Sequence, residues 1–300
     1  MNQIITNQKT VAAIGKFDGF HIGHQKLVAC AVQKAKEANA LSLIFFVGAP
    51  SDSITEQRES EALARSMGVD LTFRQSLNEE FRTMSAEDFV TKILIARLNC
   101  TCVVVGYNFR FAKDRSAGAD DLCRLCQKHG IDCIAIDEVS APDSNGEVFT
   151  VSSTLVRSLI RCGRLEDAAL YLGGSYSLSG KVAHGRHLGT SMGIPTANII
   201  PSGDIILPPQ GVYATRTYIG GSAYLSVTNI GNNPTVSEGN SVTIETHIID
   251  FDGDTYDEYI KVEFLEMLRD EKKFDSLSSL TEQIKADIEY VKNKYSKTEQ

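Results

Sequence analysis

The chain has 300 residues with 30 basic and 38 acidic side chains, a formal charge of −8 and a globular balance of 42% hydrophobic and 23% charged residues. That length fits two domains, and the composition excludes disordered and fibrous architectures. The acidic balance argues against a general nucleic-acid binder, whose footprint is basic.

The longest apolar run, residues 41–47, falls far short of the roughly 20 residues that span a bilayer. The N-terminus, MNQIITNQKT, lacks the charged-then-apolar pattern of a secretory signal, so the expected location is the cytoplasm. Seven cysteines, at 30, 100, 102, 123, 126, 133 and 162, fit a reducing compartment better than a disulfide framework. Cys123 and Cys126 form a CxxC, but the surrounding ADDLCRLCQKHG is a helical pattern with no second CxxC, so both are expected to be small helix residues.

Along the first half, strand-like VAAIG (11–15) precedes a helical pattern over 21–38. LSLIFFV (41–47), a helix near 56–67, VDLTF (69–73), a helix over 85–98 and TCVVVG (101–106) follow. A helix at about 118–129 and IDCIAI (131–136) complete the series. Continuous apolar strands alternating with amphipathic helices predict an α/β half with a parallel sheet covered on both faces. Two short helices are expected in 152–163 and 164–174. Beyond about residue 173 the segments become short and turn-punctuated: 176–183, 194–200, 211–219, 222–230, 241–249 and 259–268. They predict a compact antiparallel barrel closed by one helix over 276–292. The expected division is residues 1–172 and 173–300.

The first strand and helix are joined by Gly15-Lys16-Phe17-Asp18-Gly19-Phe20-His21-Ile22-Gly23-His24. Gly15, Gly19 and Gly23 permit tight turns, and a helix N-terminus offers free N–H groups to a phosphate. His21 and His24, three apart, share a helix face and can donate hydrogen bonds to phosphate oxygens. No third ligand nearby supports a zinc site. The string Gly-x-Phe-Asp-Gly-x-His-x-Gly-His-Gln resembles the HxGH nucleotidyltransferase motif, in the form found in bacterial bifunctional riboflavin kinase/FAD synthetases. VVVGYNFRFAKDRSAG (103–118) resembles that family's flavin-side loop, and VSSTLVR (151–157) its second nucleotide motif.

In the second half, GKVAHGRHLGTSMGIPTANII (180–200) is similar to the kinase half of the same family, with its Pro-Thr-Ala-Asn after a glycine-rich stretch. It is not a Walker loop, because no Gly-Lys-Ser/Thr follows. Thr196 and Asn198, two apart on an expected strand, offer oxygen to a hard cation. Residues 211–215, 227–236, 244–256 and 264–280 continue the resemblance in order.

The resemblance implies a Rossmann-like HxGH nucleotidyltransferase domain followed by an antiparallel riboflavin-kinase barrel. Riboflavin plus ATP would give FMN in the barrel, and FMN plus ATP would give FAD and pyrophosphate in the first domain, with Mg²⁺ assisting. It implies ATP contacts at Gly15, Phe17, Asp18, Gly19, His21, Gly23, His24, Ser152, Ser153, Thr154 and Arg157, with His21 and His24 catalytic. It implies flavin contacts at Asn108, Phe109, Arg110 and Phe111. In the kinase it implies ATP contacts at Gly180, Val182, His184, Gly185, Gly193, Pro195, Thr196 and Asn198. There Thr196 and Asn198 would hold the metal, Glu245 would be the general base, and Arg269 and Phe274 would meet the flavin. Partners are then small molecules, with no nucleic acid or membrane, and the sequence sets no oligomeric state.

The chain departs from the family pattern in three places. Phe45-Phe46-Val47-Gly48-Ala49-Pro50 stands where the family has a Thr-Phe-x-Pro-His-Pro-like segment. Asn108 replaces an aspartate, and Thr190 an arginine. Those departures leave open a riboflavin kinase with a degenerate adenylyltransferase half, or a flavin sensor without turnover.

Overall fold

A computed structural model of the chain describes residues 6–48, 51–183, 193–201, 203–233 and 241–296. The chain forms two compact units, Met1–Ser153 and Thr154–Gln300.

The first unit runs β1 (Thr10–Gly15), α1 (Ile22–Glu37), β2 (Leu41–Val47), α2 (Gln57–Ser66), β3 (Leu71–Gln75), α3 (Glu79–Arg82) and α4 (Ala86–Asp88). Helix α4 passes directly into a π-helix, Phe89–Ile95. Then come β4 (Cys100–Gly106), the small strands β5 (Arg110–Phe111) and β6 (Ala117–Gly118), α5 (Ala119–Lys128), β7 (Asp132–Ile136) and a β8 (Ser140–Pro142)–β9 (Val148–Thr150) hairpin. Five strands form one parallel sheet in the order β3-β2-β1-β4-β7. The order reverses at β1 and β4, so the C-terminal ends of these strands flank the crevice where such sheets bind ligands.

Continuous apolar strands follow from burial on both faces. Ala12, Ile14, Leu43, Phe45, Val103 and Val105 pack into one cluster. The alternate residues Val11, Ala13, Ile44, Phe46, Cys102 and Val104 pack into another, with Leu27, Val28 and Ala31 of α1.

The cysteine expectation needs one correction. Cys123 on α5 is disulfide-bonded to Cys133 on β7, with Cα atoms 5.0 Å apart. Helix α5 lies back along β7 after a short connection, which places the two side chains opposite each other. Cys30, Cys100, Cys102, Cys126 and Cys162 are free.

The second unit contains α6 (Ser153–Arg161), whose first residue closes the first unit, and α7 (Leu165–Leu172), ended by left-handed Gly173. A closed antiparallel barrel follows in the order β10-β11-β14-β13-β12-β15. Its strands are β10 (Ser177–Ala183), β11 (Ala197–Pro201), β12 (Gly211–Ile219), β13 (Ser222–Asn233), β14 (Ser241–Ile248) and β15 (Tyr259–Arg269). Helix α8 (Leu277–Tyr295) ends the unit. Gly220 and Gly221, both at positive φ, supply the two-residue turn between β12 and β13.

The inward faces carry a hydroxyl network. Thr215 bonds Ser226 and Thr228 at 2.8 Å, Thr217 bonds Ser226 at 2.8 Å, and Thr228 bonds Thr246 at 2.9 Å. All five are buried, so each hydroxyl needs the partner it has. Val212, Ala214 and Val227, on the opposite face of β12 and β13, pack with Val291 of α8.

Candidate active sites

The first site is the β1–α1 turn. Phe17 and Phe20 adopt left-handed φ values of 50° and 45°, and both side chains are buried. Such backbone is costly for aromatic residues and is held by its surroundings. Here Asp18 does much of the holding: its buried carboxylate accepts from the amide of Ile54 at 2.8 Å and of Thr55 at 3.4 Å. Ser153 Oγ donates to Asp18 O at 2.9 Å, and Gln25 Nε2 to Phe20 O at 2.9 Å.

His21 caps α1, its Nδ1 accepting from the His24 amide at 3.3 Å. That acceptor role leaves the proton of neutral His21 on Nε2. The two imidazoles stack with centroids 3.7 Å apart. Burial holds His21 down at about 4, against its ordinary 6.5. Burial first, then the neighbouring His21, pushes His24 well below 6.5 as well. Both rings are therefore neutral hydrogen-bonding groups at pH 7. His24 Nδ1 is buried with no hydrogen-bond partner among the described residues, a polar atom at a helix N-terminus that a ligand would satisfy. The glycines fit this geometry closely. A Cβ at Gly23 would lie 3.1 Å from His21 Cε1 and Nδ1, and one at Gly15 would lie 3.3 Å from the Phe17 ring.

The expected flavin-side residues divide. Asn108 and Arg110 are exposed, Phe109 is half-buried, and Phe109 and Phe111 stack at 5.6 Å. Phe111 itself belongs to the core, 5.1 Å from Phe89, so its side chain serves packing. Thr154 and Arg157 lie on α6, one helical turn apart, and Ser152 precedes that helix, half-buried.

The second site is a rung across three barrel strands. Asn198 on β11 pairs with Glu245 on β14, which pairs in turn with Asn229 on β13. Thr246, next to Glu245, points into the hydroxyl network, so Glu245 faces outward, as do its rung neighbours. Thr196 immediately precedes β11. His247, two residues along β14 from Glu245, bonds Pro195 O through Nδ1 at 2.8 Å and ties the Pro195–Thr196 segment to that strand.

At the end of β15, Arg269 donates to Asp287 of α8 from Nε at 3.0 Å and from a terminal nitrogen at 2.8 Å. Its guanidinium is 5.8 Å from the Phe274 ring centroid, so the two expected flavin residues stand together.

Two expected nucleotide contacts have structural employment. Val182 is buried in the barrel, with its amide donating to Glu258 O and its carbonyl accepting from Asp257. Gly180 is required by strand packing, since a Cβ there would lie 2.3 Å from Ile200 O. Gly193 has φ 71° and an exposed position. His184, Gly185 and Thr190 lie outside the described residues, as do Ala49 and Pro50.

A family model described as FAD synthetase matches residues 3–154, and one described as riboflavin kinase matches residues 172–295. The bifunctional riboflavin kinase/FMN adenylyltransferase of Bacillus subtilis is 32% identical over 296 residues, covering 93% of this chain and 90% of its own. This chain belongs to the bifunctional riboflavin kinase/FMN adenylyltransferase family. The namesake from Pseudomonas fluorescens is 34% identical over 287 residues, with 93% and 90% of the two chains covered. A crystal structure described as a macrolide-efflux protein from Streptococcus pneumoniae shares the fold at a TM-score of 0.85, with 28% identity and 98% of each chain covered. Among the described residues, no helix is long and apolar enough to cross a membrane.

Two features of this family member escape a reading of the sequence. The amides of Ile54 and Thr55 anchor Asp18 from more than 30 residues away, with no local signal. Asn229 stands beside Glu245 through strand register alone.

Proposed function

We propose that residues 173–300 phosphorylate riboflavin to FMN and that residues 1–172 adenylylate FMN to FAD, with ATP the co-substrate of both. The cytoplasm, where ATP is plentiful, is the proposed location of both reactions. The observation that carries the kinase reading is the Asn198–Glu245 pair, which sets a carboxylate beside a hard-oxygen donor on adjacent strands.

In phosphoryl transfer, the terminal ribityl hydroxyl of riboflavin attacks the γ-phosphorus of ATP and the bond to ADP breaks. Glu245 takes the hydroxyl proton. Arg269, fixed by Asp287, and the neighbouring Phe274 hold the flavin. Asn198 Oδ1 and Thr196 Oγ1 form a donor set that fits Mg²⁺, and these residues would hold it. Mg²⁺ keeps several waters and binds through few protein oxygens together with substrate phosphates, so two oxygen donors suffice. Once bound, Mg²⁺ neutralises charge on the ATP phosphates.

In adenylyl transfer, the FMN phosphate attacks the α-phosphorus of ATP and pyrophosphate leaves. His21 Nε2–H and the His24 ring donate to the phosphate oxygens, and the N-terminus of α1 adds its amides. Asp18 keeps the turn in shape. Little covalent work falls to the protein, so positioning dominates.

Paired variants of the full chain test the division. Glu245→Gln should abolish FMN formation and leave FMN-to-FAD conversion intact, whereas His24→Ala should do the reverse. Loss of both activities in either variant, or of neither, would refute it.

A further inference from the structure

We propose that Asn229 is a positioning residue for phosphoryl transfer: its side-chain amide holds the Glu245 carboxylate toward the riboflavin hydroxyl, and Glu271 holds Asn229. This rests on the reading of Glu245 as the kinase base.

Register supplies the first argument. Asn229 and Glu245 are direct partners in the antiparallel β13–β14 ladder, and Asn198 completes the rung. Direct partners share a face, with Cβ atoms roughly 4.5–5.5 Å apart, within reach of an amide and a carboxylate. Thr228, beside Asn229, bonds Thr246, beside Glu245, inside the barrel. Both Asn229 and Glu245 therefore project from the outer face, where each is half-buried.

A second observation comes from Gly231, two residues along the same face of β13. A Cβ built there would lie 2.6 Å from Glu271 Oε1 and 3.1 Å from Asn229 Nδ2. The missing side chain leaves a gap into which the ends of Glu271 and Asn229 both project. Glu271 follows β15 by two residues, between Arg269, which ends that strand, and Phe274. The segment 269–274 thus reaches the rung of the base as well as the flavin residues.

The chemistry favours an amide here. Asn229 Nδ2 has two N–H donors, enough for a carboxylate on each side. Aspartate at this position would set a third negative charge between Glu245 and Glu271, and an aliphatic residue would leave both without that donor. A misplacement of about 1 Å in a reacting group costs on the order of a hundredfold in rate, so the amide acts on turnover more than on binding.

The test is steady-state FMN formation by the full-length protein, with FMN-to-FAD conversion by the same sample as internal control. Asn229→Ala should lower kcat for riboflavin phosphorylation by about tenfold to a hundredfold. KM values for riboflavin and ATP should stay within about twofold, because uniform binding is untouched. Asn229→Gln, which keeps the donor, should be at least fivefold faster than Asn229→Asp. Glu271→Ala should lower kcat in the same direction by less. A kcat for Asn229→Ala within twofold of wild type would overturn the proposal, as would a raised KM with kcat unchanged. If Asn229→Ala does not fold, the Gln and Asp variants decide, and equal rates overturn it. Glu245→Gln separates the two levels. Full activity in that variant removes the base reading itself, whereas an inactive Glu245→Gln beside a normal Asn229→Ala removes only the role of Asn229.

Discussion

Acidification should destabilise the parallel-sheet unit through His21, and the size of the effect follows from its burial. The imidazole is 7% exposed and is held at about 4, against 6.5 in an unfolded chain. The unfolded state therefore binds a proton at a pH where the folded state does not. The contribution to stability is complete above pH 6.5 and is lost as pH falls from 6.5 toward 4. The full loss is about 3 kcal/mol, of which about 2 kcal/mol is gone at pH 5. For a unit of this size that is a fall of about 4–8 °C in the thermal midpoint. His24, pushed down by burial and by His21, adds in the same direction. Calorimetry of wild type and His21→Asn at pH 7, 6 and 5 isolates the effect. Asparagine keeps the cap on the His24 amide but does not titrate. The variant should lose about 4–8 °C less than wild type between pH 7 and 5. Parallel pH curves for the two proteins would refute the reasoning. The same variant should lose adenylyl transfer by on the order of a hundredfold and keep riboflavin phosphorylation.

Three further outcomes follow from packing. Gly180→Ala forces a Cβ to within 2.3 Å of Ile200 O, so β10 and β11 must part. That should cost the barrel unit about 3 kcal/mol, and an unchanged calorimetric midpoint would count against the packing role of Gly180. Opening the Cys123–Cys133 bond should cost the first unit about 2–3 kcal/mol through the loop it closes. Thermal melts with and without dithiothreitol measure this, and a Cys123→Ser protein as stable as untreated wild type would contradict it. Asp287→Ala strands Arg269, whose side chain is 13% exposed beside the 7% of Asp287. It should destabilise the barrel unit by about 3 kcal/mol and raise KM for riboflavin; a midpoint and KM equal to wild type would show the pair to be idle.

Local patterns were legible in the sequence, and long-range register was not. The parallel half could be read because apolar runs such as LSLIFFV are apolar on both faces, as the two core clusters require. The His21–His24 site is local too, since its geometry is set within one turn of helix. Strand β3, expected at 69–73, is Leu71–Gln75. Val69 is buried and apolar, but its amide bonds Ala64 O at the end of α2 and does not join the ladder. The helix expected over 85–98 becomes a π-helix at Phe89, Val90, Ile93 and Leu94, a spacing that satisfies either helical period. In the barrel, turn glycines and alternation marked the strands, whereas the pairing of Asn198, Glu245 and Asn229 depends on ladders between distant segments. Phe111 and Val182 show the converse: each lies in a motif, yet burial assigns its side chain to the core.

One chain should make FMN in its barrel and FAD in its parallel-sheet unit. Purified protein with riboflavin, ATP and Mg²⁺, sampled over time by chromatography, tests it most directly. FMN should appear first and FAD after it, with supplied FMN converted to FAD without a lag. FMN that accumulates and is never adenylylated, or no FMN at all, would contradict the account.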